Sequence, residues 1–136
     1  GNRRYIKIVE NKTYDLLSVA EAAMVTSGTA TLETALFKVP EVVCYKGNFL
    51  SYAIARQLIK VNFISLVNII MGKEIVKELI QADFNRDLLR KELGKLLRDS
   101  TYRTEMLNNF DLLIQKLGAG GASQTAAIKM VEYLKK

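Results

Sequence analysis

Residues 24–36, MVTSGTATLETAL, place Thr26, Ser27, Gly28, Thr29, Ala30 and Thr31 between an apolar run and an amphipathic stretch. Small hydroxylated residues cannot fill a core, so this junction either caps a helix or holds a ligand. Gly28 lets the backbone turn sharply and clears the approach, and the first amides of a helix starting near Thr29 have no partners within it. Such amides favour an anion. Ser27, Thr29 and Thr31 add hydroxyl donors, so a phosphate or diphosphate fits there without a lysine in the motif. Capping by Ser27 alone would contribute about 1 kcal/mol to the helix. Glu33 follows Ala30, not a Ser or Thr, by three residues, so no capping box forms at that spacing. One turn into the helix, its carboxylate suits hydrogen bonds from two adjacent hydroxyls, as acidic residues make with ribose. Spacing leaves the capping and ligand readings side by side.

The remaining chemistry is narrowed by what is missing. The chain has no histidine, which removes Ser-His-Asp and Cys-His catalysis and the usual transition-metal sites. Its single cysteine, Cys44, lies inside the apolar run VVCY and reads as a buried structural thiol. Twenty Lys and Arg against 14 Asp and Glu give a net charge of +6, which suits an anionic partner. Yet residues 73–105 hold eight basic and seven acidic side chains, interspersed as on a solvated helical surface. The aromatic interleaving of a nucleic-acid platform is missing, so no nucleic-acid partner is expected.

The elements that must position the junction follow from periodicity. The chain has 136 residues, 49% hydrophobic and 25% charged, which suits one domain over residues 1–136 with its own core. No apolar run approaches the roughly 18 residues of a bilayer span, and residues 1–20 lack the order of a signal peptide, so a cytoplasmic protein is expected. YIKIV alternates with period two and reads as a strand. Leu16, Val19, Ala20 and Ala23 then recur at helical spacing, with Thr13 as candidate N-cap. AMVTS reads as a second strand. Leu32, Ala35 and Leu36 mark a helix ended by Pro40, and EVVCYK is a third strand. Leu50, Ile54 and Leu58 outline another helix, and NFISLVNII reads as strand plus loop. Strands alternating with helices imply βαβ crossovers: an α/β fold with a parallel sheet of about four strands and flanking helices. The second half reads as four amphipathic helices: Glu74 to Ile80, Leu89-Leu93-Leu96, Tyr102-Met106-Phe110-Leu113-Leu117, and Ala127-Met130-Val131-Leu134. GAGGA separates the last two, and residues 83–136 form the helical part.

SGTATLE at 27–33, P-x-V-V-x-Y-K at 40–46, S-L-x-N-I-I at 65–70 and E-x-V-x-E-L-I-Q at 74–81 occur in an order and spacing that resemble the carboxy-terminal half of the lipid-A-disaccharide synthases. These are inverting, metal-independent glycosyltransferases of the two-domain GT-B architecture. The resemblance is close over residues 20–82 and looser over the helices beyond; Val67 and Lys77 stand where many relatives carry proline. It implies a partial Rossmann-like carboxy-terminal domain that holds a UDP-2,3-diacylglucosamine donor, with 2,3-diacylglucosamine 1-phosphate as acceptor and no cofactor or metal. It further implies that Ser27, Gly28 and Thr29 lie near the diphosphate and that Glu33 faces the ribose. Asn68, Glu78 and Gln81 would line the donor site, with Tyr45 and Lys46 at a strand end. No catalytic residue is expected in this chain, because the family's base belongs to the amino-terminal domain, which has no counterpart here. The Gly- and Arg-containing loop after the first strand of the family's second domain is also without a counterpart, so the chain is expected to be a fragment, inactive by itself. Acylated substrates imply peripheral contact with the cytoplasmic membrane, with which the helix at Leu50 to Lys60 is compatible. Two other readings stand beside this one: another UDP-sugar enzyme of the same architecture, glycosyltransferase or epimerase, and a non-catalytic nucleotide-binding or helical interaction module.

Overall fold

The structure is a computed structural model that describes residues 5–26, 28–48 and 63–118. Its elements run α1 (Thr13–Val19), β1 (Ala23–Thr26), α2 (Thr29–Leu36), β2 (Glu41–Tyr45), α3 (Leu66–Met71), β3 (Lys77–Ile80), a 3-10 turn (Gln81–Asp83), α4 (Arg86–Arg98) and α5 (Ser100–Gly118).

The described strands form one parallel sheet in the order β1-β2-β3. Thr26 lies opposite Cys44, and Cys44 opposite Leu79, so all three strands end at one edge. The first four residues of β2 are buried, as expected of a central parallel strand covered on both faces, and this is why VVC reads as an unbroken apolar run. Burial pushes the Cys44 thiol above its ordinary pKa, consistent with a structural role. α2 packs on β1, β2 and α3; α5 packs on α2 and α3; α4 touches β2, β3 and α5. The core joins Val42, Val43 and Leu79 of the sheet to Val67 of α3, Leu96 of α4, and Met106, Phe110 and Leu113 of α5. Burying a side chain such as Phe110 stabilises the fold by about 1.5–3 kcal/mol.

The two long helices follow their sequence signals. Asn85 caps α4 by accepting a hydrogen bond from the Leu88 amide at 3.0 Å, with Asp87 in the first turn and Lys95 and Arg98 in the last. Asp99 receives the Tyr102 amide at 3.0 Å and starts α5. The Tyr102 hydroxyl donates to the buried Glu92 carboxylate, locking the two helices together. α2 ends before Pro40, with Lys38 taking a left-handed φ of 57°.

Several expectations are corrected. Tyr5–Val9 forms no strand: its residues pair with nothing in the described sheet and are exposed, Ile6 by 72% and Ile8 by 88%. Alternation alone does not make a strand without a neighbour to complete its hydrogen bonds. The described sheet accordingly has three strands, where about four were expected. Lys12, not Thr13, holds the N-cap position of α1, without a side-chain cap, and the buried residue of that helix is Leu17 while Leu16 and Val19 are exposed. From Leu66 onward NFISLVNII is helix rather than strand, running on to Met71, because Ser65 accepts the Asn68 amide at the start and Gly72 closes the end with φ 67°. The Glu74 to Ile80 segment is not a helix but carries β3, whose Leu79 inserts beside Cys44 of β2. The helix read at Leu50 to Leu58, the GAGGA break, the helix at Ala127 to Leu134, and Ser27 all lie outside the described residues.

Candidate functional site

The carboxyl edge of the sheet gathers the small-residue junction and two later strand ends. α2 starts beyond β1, and its N-cap position falls on Gly28, whose φ of 127° is a conformation side chains rarely adopt. No side chain caps this helix among the described residues, and Gly28 and Thr29 are exposed. The Thr31 amide is taken by the Gly28 carbonyl at 3.3 Å, and the Thr31 hydroxyl donates to that same oxygen at 2.8 Å. Thr31 is fully buried, so its hydroxyl is spent inside the helix and the expectation that it adds a ligand donor is corrected. Among the described residues, the first-turn donors without such a partner are the Thr29 and Ala30 amides and the Thr29 hydroxyl.

Glu33 is half-buried one turn further on, and its Oε1 accepts the Tyr14 hydroxyl of α1 at 3.1 Å. Tyr14 in turn stacks on Phe37, ring centroids 5.4 Å apart and planes within 12°. The carboxylate is thus oriented by a ring that packing holds still. Tyr14 escaped the sequence reading because it belongs to another helix, 19 residues away, and no local pattern couples the two.

Past β2, Tyr45 is half-buried and Lys46 is exposed, without an ion pair among the described residues. Gly28 and Lys46 each follow the Thr26–Cys44 pair by two residues along their own segments. Gln81, one residue past β3, continues the ladder with its side chain. Its Oε1 accepts the Gly47 amide at 3.0 Å, and its Nε2 donates to the Gly47 carbonyl at 3.1 Å. A Cβ on Gly47 would come within 2.8 Å of the Tyr45 ring, so any larger residue there would push the tyrosine aside. Gly47 is a second residue that sequence reasoning missed; its neighbour Lys46 came in through the P-x-V-V-x-Y-K resemblance, which stops one residue short of it.

Asn68 and Glu78 lie deeper. The fully buried Asn68 side chain accepts the Ile75 and Val76 amides at 2.8 and 3.1 Å through Oδ1. Its Nδ2 donates to the Val76 carbonyl and to Glu78 Oε1, both at 2.9 Å. Glu78 also receives the Ser65 amide at 2.9 Å, the Ser65 hydroxyl at 2.7 Å and the Ile64 amide. All four hydrogen-bonding positions of the Asn68 amide are filled by the chain itself. The two residues clamp the start of α3 to β3 and so fix the segments behind the edge.

At the opposite end of β2, Glu41 is fully buried, and neither of its carboxylate oxygens has a hydrogen-bond partner among the described residues. Desolvation pushes its pKa up to about 9, so the group is a neutral acid at pH 7. Among the described residues, no three His, Cys, Asp or Glu side chains come together as metal ligands, and no helix is long and apolar enough to cross a membrane.

Comparison with known proteins adds to this geometry. Residues 3–129 match the profile of a family described as lipid-A-disaccharide synthetase. The chain is similar to the lipid-A-disaccharide synthase of Nitrosococcus oceani, 42% identical over 134 residues, which covers 98% of this chain and 34% of that protein. The Syntrophus aciditrophicus protein of that name is 41% identical and the Geobacter sulfurreducens one 37%, each over 131 residues, 96% of this chain and 34% of the relative. The chain thus spans about a third of the length of the relatives it matches.

Proposed function

Since the chain belongs to the lipid-A-disaccharide synthetase family, we propose that it forms the donor-holding part of a lipid-A-disaccharide synthase. The complete protein would transfer 2,3-diacylglucosamine from its UDP derivative to 2,3-diacylglucosamine 1-phosphate, inverting the anomeric centre and forming the β-1,6 disaccharide of lipid A. The observation that carries this reading is the start of α2 at the carboxyl edge of a parallel sheet, without a side-chain cap among the described residues, with Lys46 just past the end of the neighbouring strand. Open α/β sheets bind ligands at that edge, and helix amides there favour a diphosphate.

In this reading Ser27, Gly28 and Thr29 hold the diphosphate, Lys46 adds a point charge, and Glu33, oriented by Tyr14, accepts the ribose hydroxyls. Tyr45 and Gln81 shape the wall through Gly47. Asn68 and Glu78 act as positioning residues, since their own bonds are filled within the chain. The chemistry of this part is a clamp. Charge grows on the departing UDP, and amides already aimed at it need no rearrangement; one such donor is worth roughly 2.7–4 kcal/mol in a transition state. The base that takes the acceptor proton would come from the amino-terminal domain, so the chain alone transfers nothing. Because both substrates are acylated, the complete protein would work against the cytoplasmic face of a membrane as a peripheral protein.

Isothermal titration of the folded chain with UDP and UMP tests the clamp. Weak binding that needs the second phosphate, and that Glu33→Ala diminishes, is expected. Equal indifference to both nucleotides would remove the donor-site reading and leave an interaction module.

A further inference from the structure

The outward face of α4 is lined by a shallow groove of about 840 Å³ in which Arg90, Lys91, Lys95 and Arg98 stand against Asp87 and Asp99. One of the two carboxylates is already committed to the fold. Asp99 caps α5, and Asp87 lies in the first turn of α4, where the helix dipole favours it. Lys95 is held 3.7 Å from Glu92 and 5.3 Å from the centre of the Tyr102 ring. Arg90, Lys91 and Arg98 form no ion pair among the described residues. Three unpaired cations therefore project from one side of a 13-residue helix about 20 Å long.

Two further features shape this face. Gly94 lies at its middle with open space where a side chain would stand, so the long cations around it can lie flat against a broad partner. Leu97, half exposed, borders the same face three residues on from Gly94. A second shallow groove shares Ser100 and continues over α5 with the hydroxyl of Thr104 and the amide of Asn108, which suit headgroup oxygens, and with one cation, Lys73, against one carboxylate, Glu105.

We propose that this face of α4 seats the protein on an anionic bilayer surface. The assignment rests on the reading that the substrates are membrane-bound, and it adds where the membrane lies. Charge complementarity identifies the partner. Fixed cations along one helix face match a field of lipid phosphates, and an exposed leucine at the border can enter the headgroup layer. Nucleic acid fits less well, because no aromatic side chain lines either groove to stack on a base.

Vesicle flotation of the full 136-residue chain tests the proposal. Phosphatidylglycerol vesicles are expected to carry it at low salt, phosphatidylcholine vesicles much less, and molar salt should release it because charges are then screened within about 3 Å. Arg90→Glu with Lys91→Glu should lower partitioning by roughly tenfold to a hundredfold. Lys7→Glu with Lys12→Glu makes the same change in net charge at exposed positions elsewhere and should have a small effect. Circular dichroism of each variant checks the fold, and UDP titration of the α4 variant, expected unchanged, keeps the donor site separate from this surface. Equal losses in both double variants would show that binding follows net charge and would overturn the assignment to α4. Binding untouched by the α4 changes would move the membrane contact to another surface. Indifference of the unaltered chain to both vesicles would remove the membrane reading for this part of the protein while leaving the donor reading to the UDP result. Displacement from vesicles by single-stranded RNA would reassign the face to nucleic acid.

Discussion

Burial of Glu41 without a partner among the described residues makes a proton part of the folded state. Its folded pKa is about 9 against an ordinary 4.5, raised by desolvation. Above 4.5 the unfolded chain releases the proton and the folded chain keeps it, so stability falls as pH rises through that window and levels off past about 9. At pH 7 the penalty is on the order of 3 kcal/mol. Glu41→Met, close in shape and without charge, should therefore stabilise the chain, and by more at pH 8 than at pH 5. Urea unfolding at the two values measures this, and an identical gain at both would place the proton elsewhere. At the other end of the sheet, Tyr14→Phe keeps the stack on Phe37 and deletes only the hydroxyl that holds Glu33. It should weaken UDP binding about twofold to tenfold, less than Glu33→Ala, as titration calorimetry would read.

Among the elements, Asn68 has the widest reach, since one amide joins α3 to the two residues that precede β3. Asn68→Ala would strand the buried amides of Ile75 and Val76 and should cost about 3 kcal/mol or more in urea unfolding, a loss far above that of an exposed asparagine. α4 and α5 were legible because 13 and 19 residues show several turns of periodicity with capping Asn85 and Asp99 in place. α3 and β3 were not, because six and four residues show barely one period of anything. Ile75, Val76, Leu79 and Ile80 fit a helix face as well as a buried strand, and the choice is made by β2, which offers Cys44 and Tyr45 as partners. Ser65 and Gly72 did mark α3 in the sequence, as a cap and a left-handed stop, but the β-run reading of Ile64 and Val67 obscured them. The junction at Gly28 was readable because its residue types are local signals. The Tyr14–Glu33 and Gln81–Gly47 bonds were not, since they link positions 19 and 34 residues apart.

At the scale of the molecule, exposed apolar groups concentrate in the first 24 residues: Tyr5, Ile6, Ile8, Leu16, Val19 and Met24. Exposed apolar side chains in such number promote association. Ile6→Lys with Ile8→Lys should lower light scattering at high concentration and leave the melting temperature unchanged, because neither side chain is packed; a lowered melting temperature would mean that the segment is docked in solution. The parallel sheet also divides labour by direction. Among the described residues, the strands start at the end where Glu41 is sealed away and finish at the end followed by Gly28, Lys46 and Gln81. A mutational screen of this chain should therefore sort by compass: lesions at the strands' origins would surface as lost solubility and yield, whereas lesions at their tips would leave well-behaved protein with the proposed UDP binding weakened.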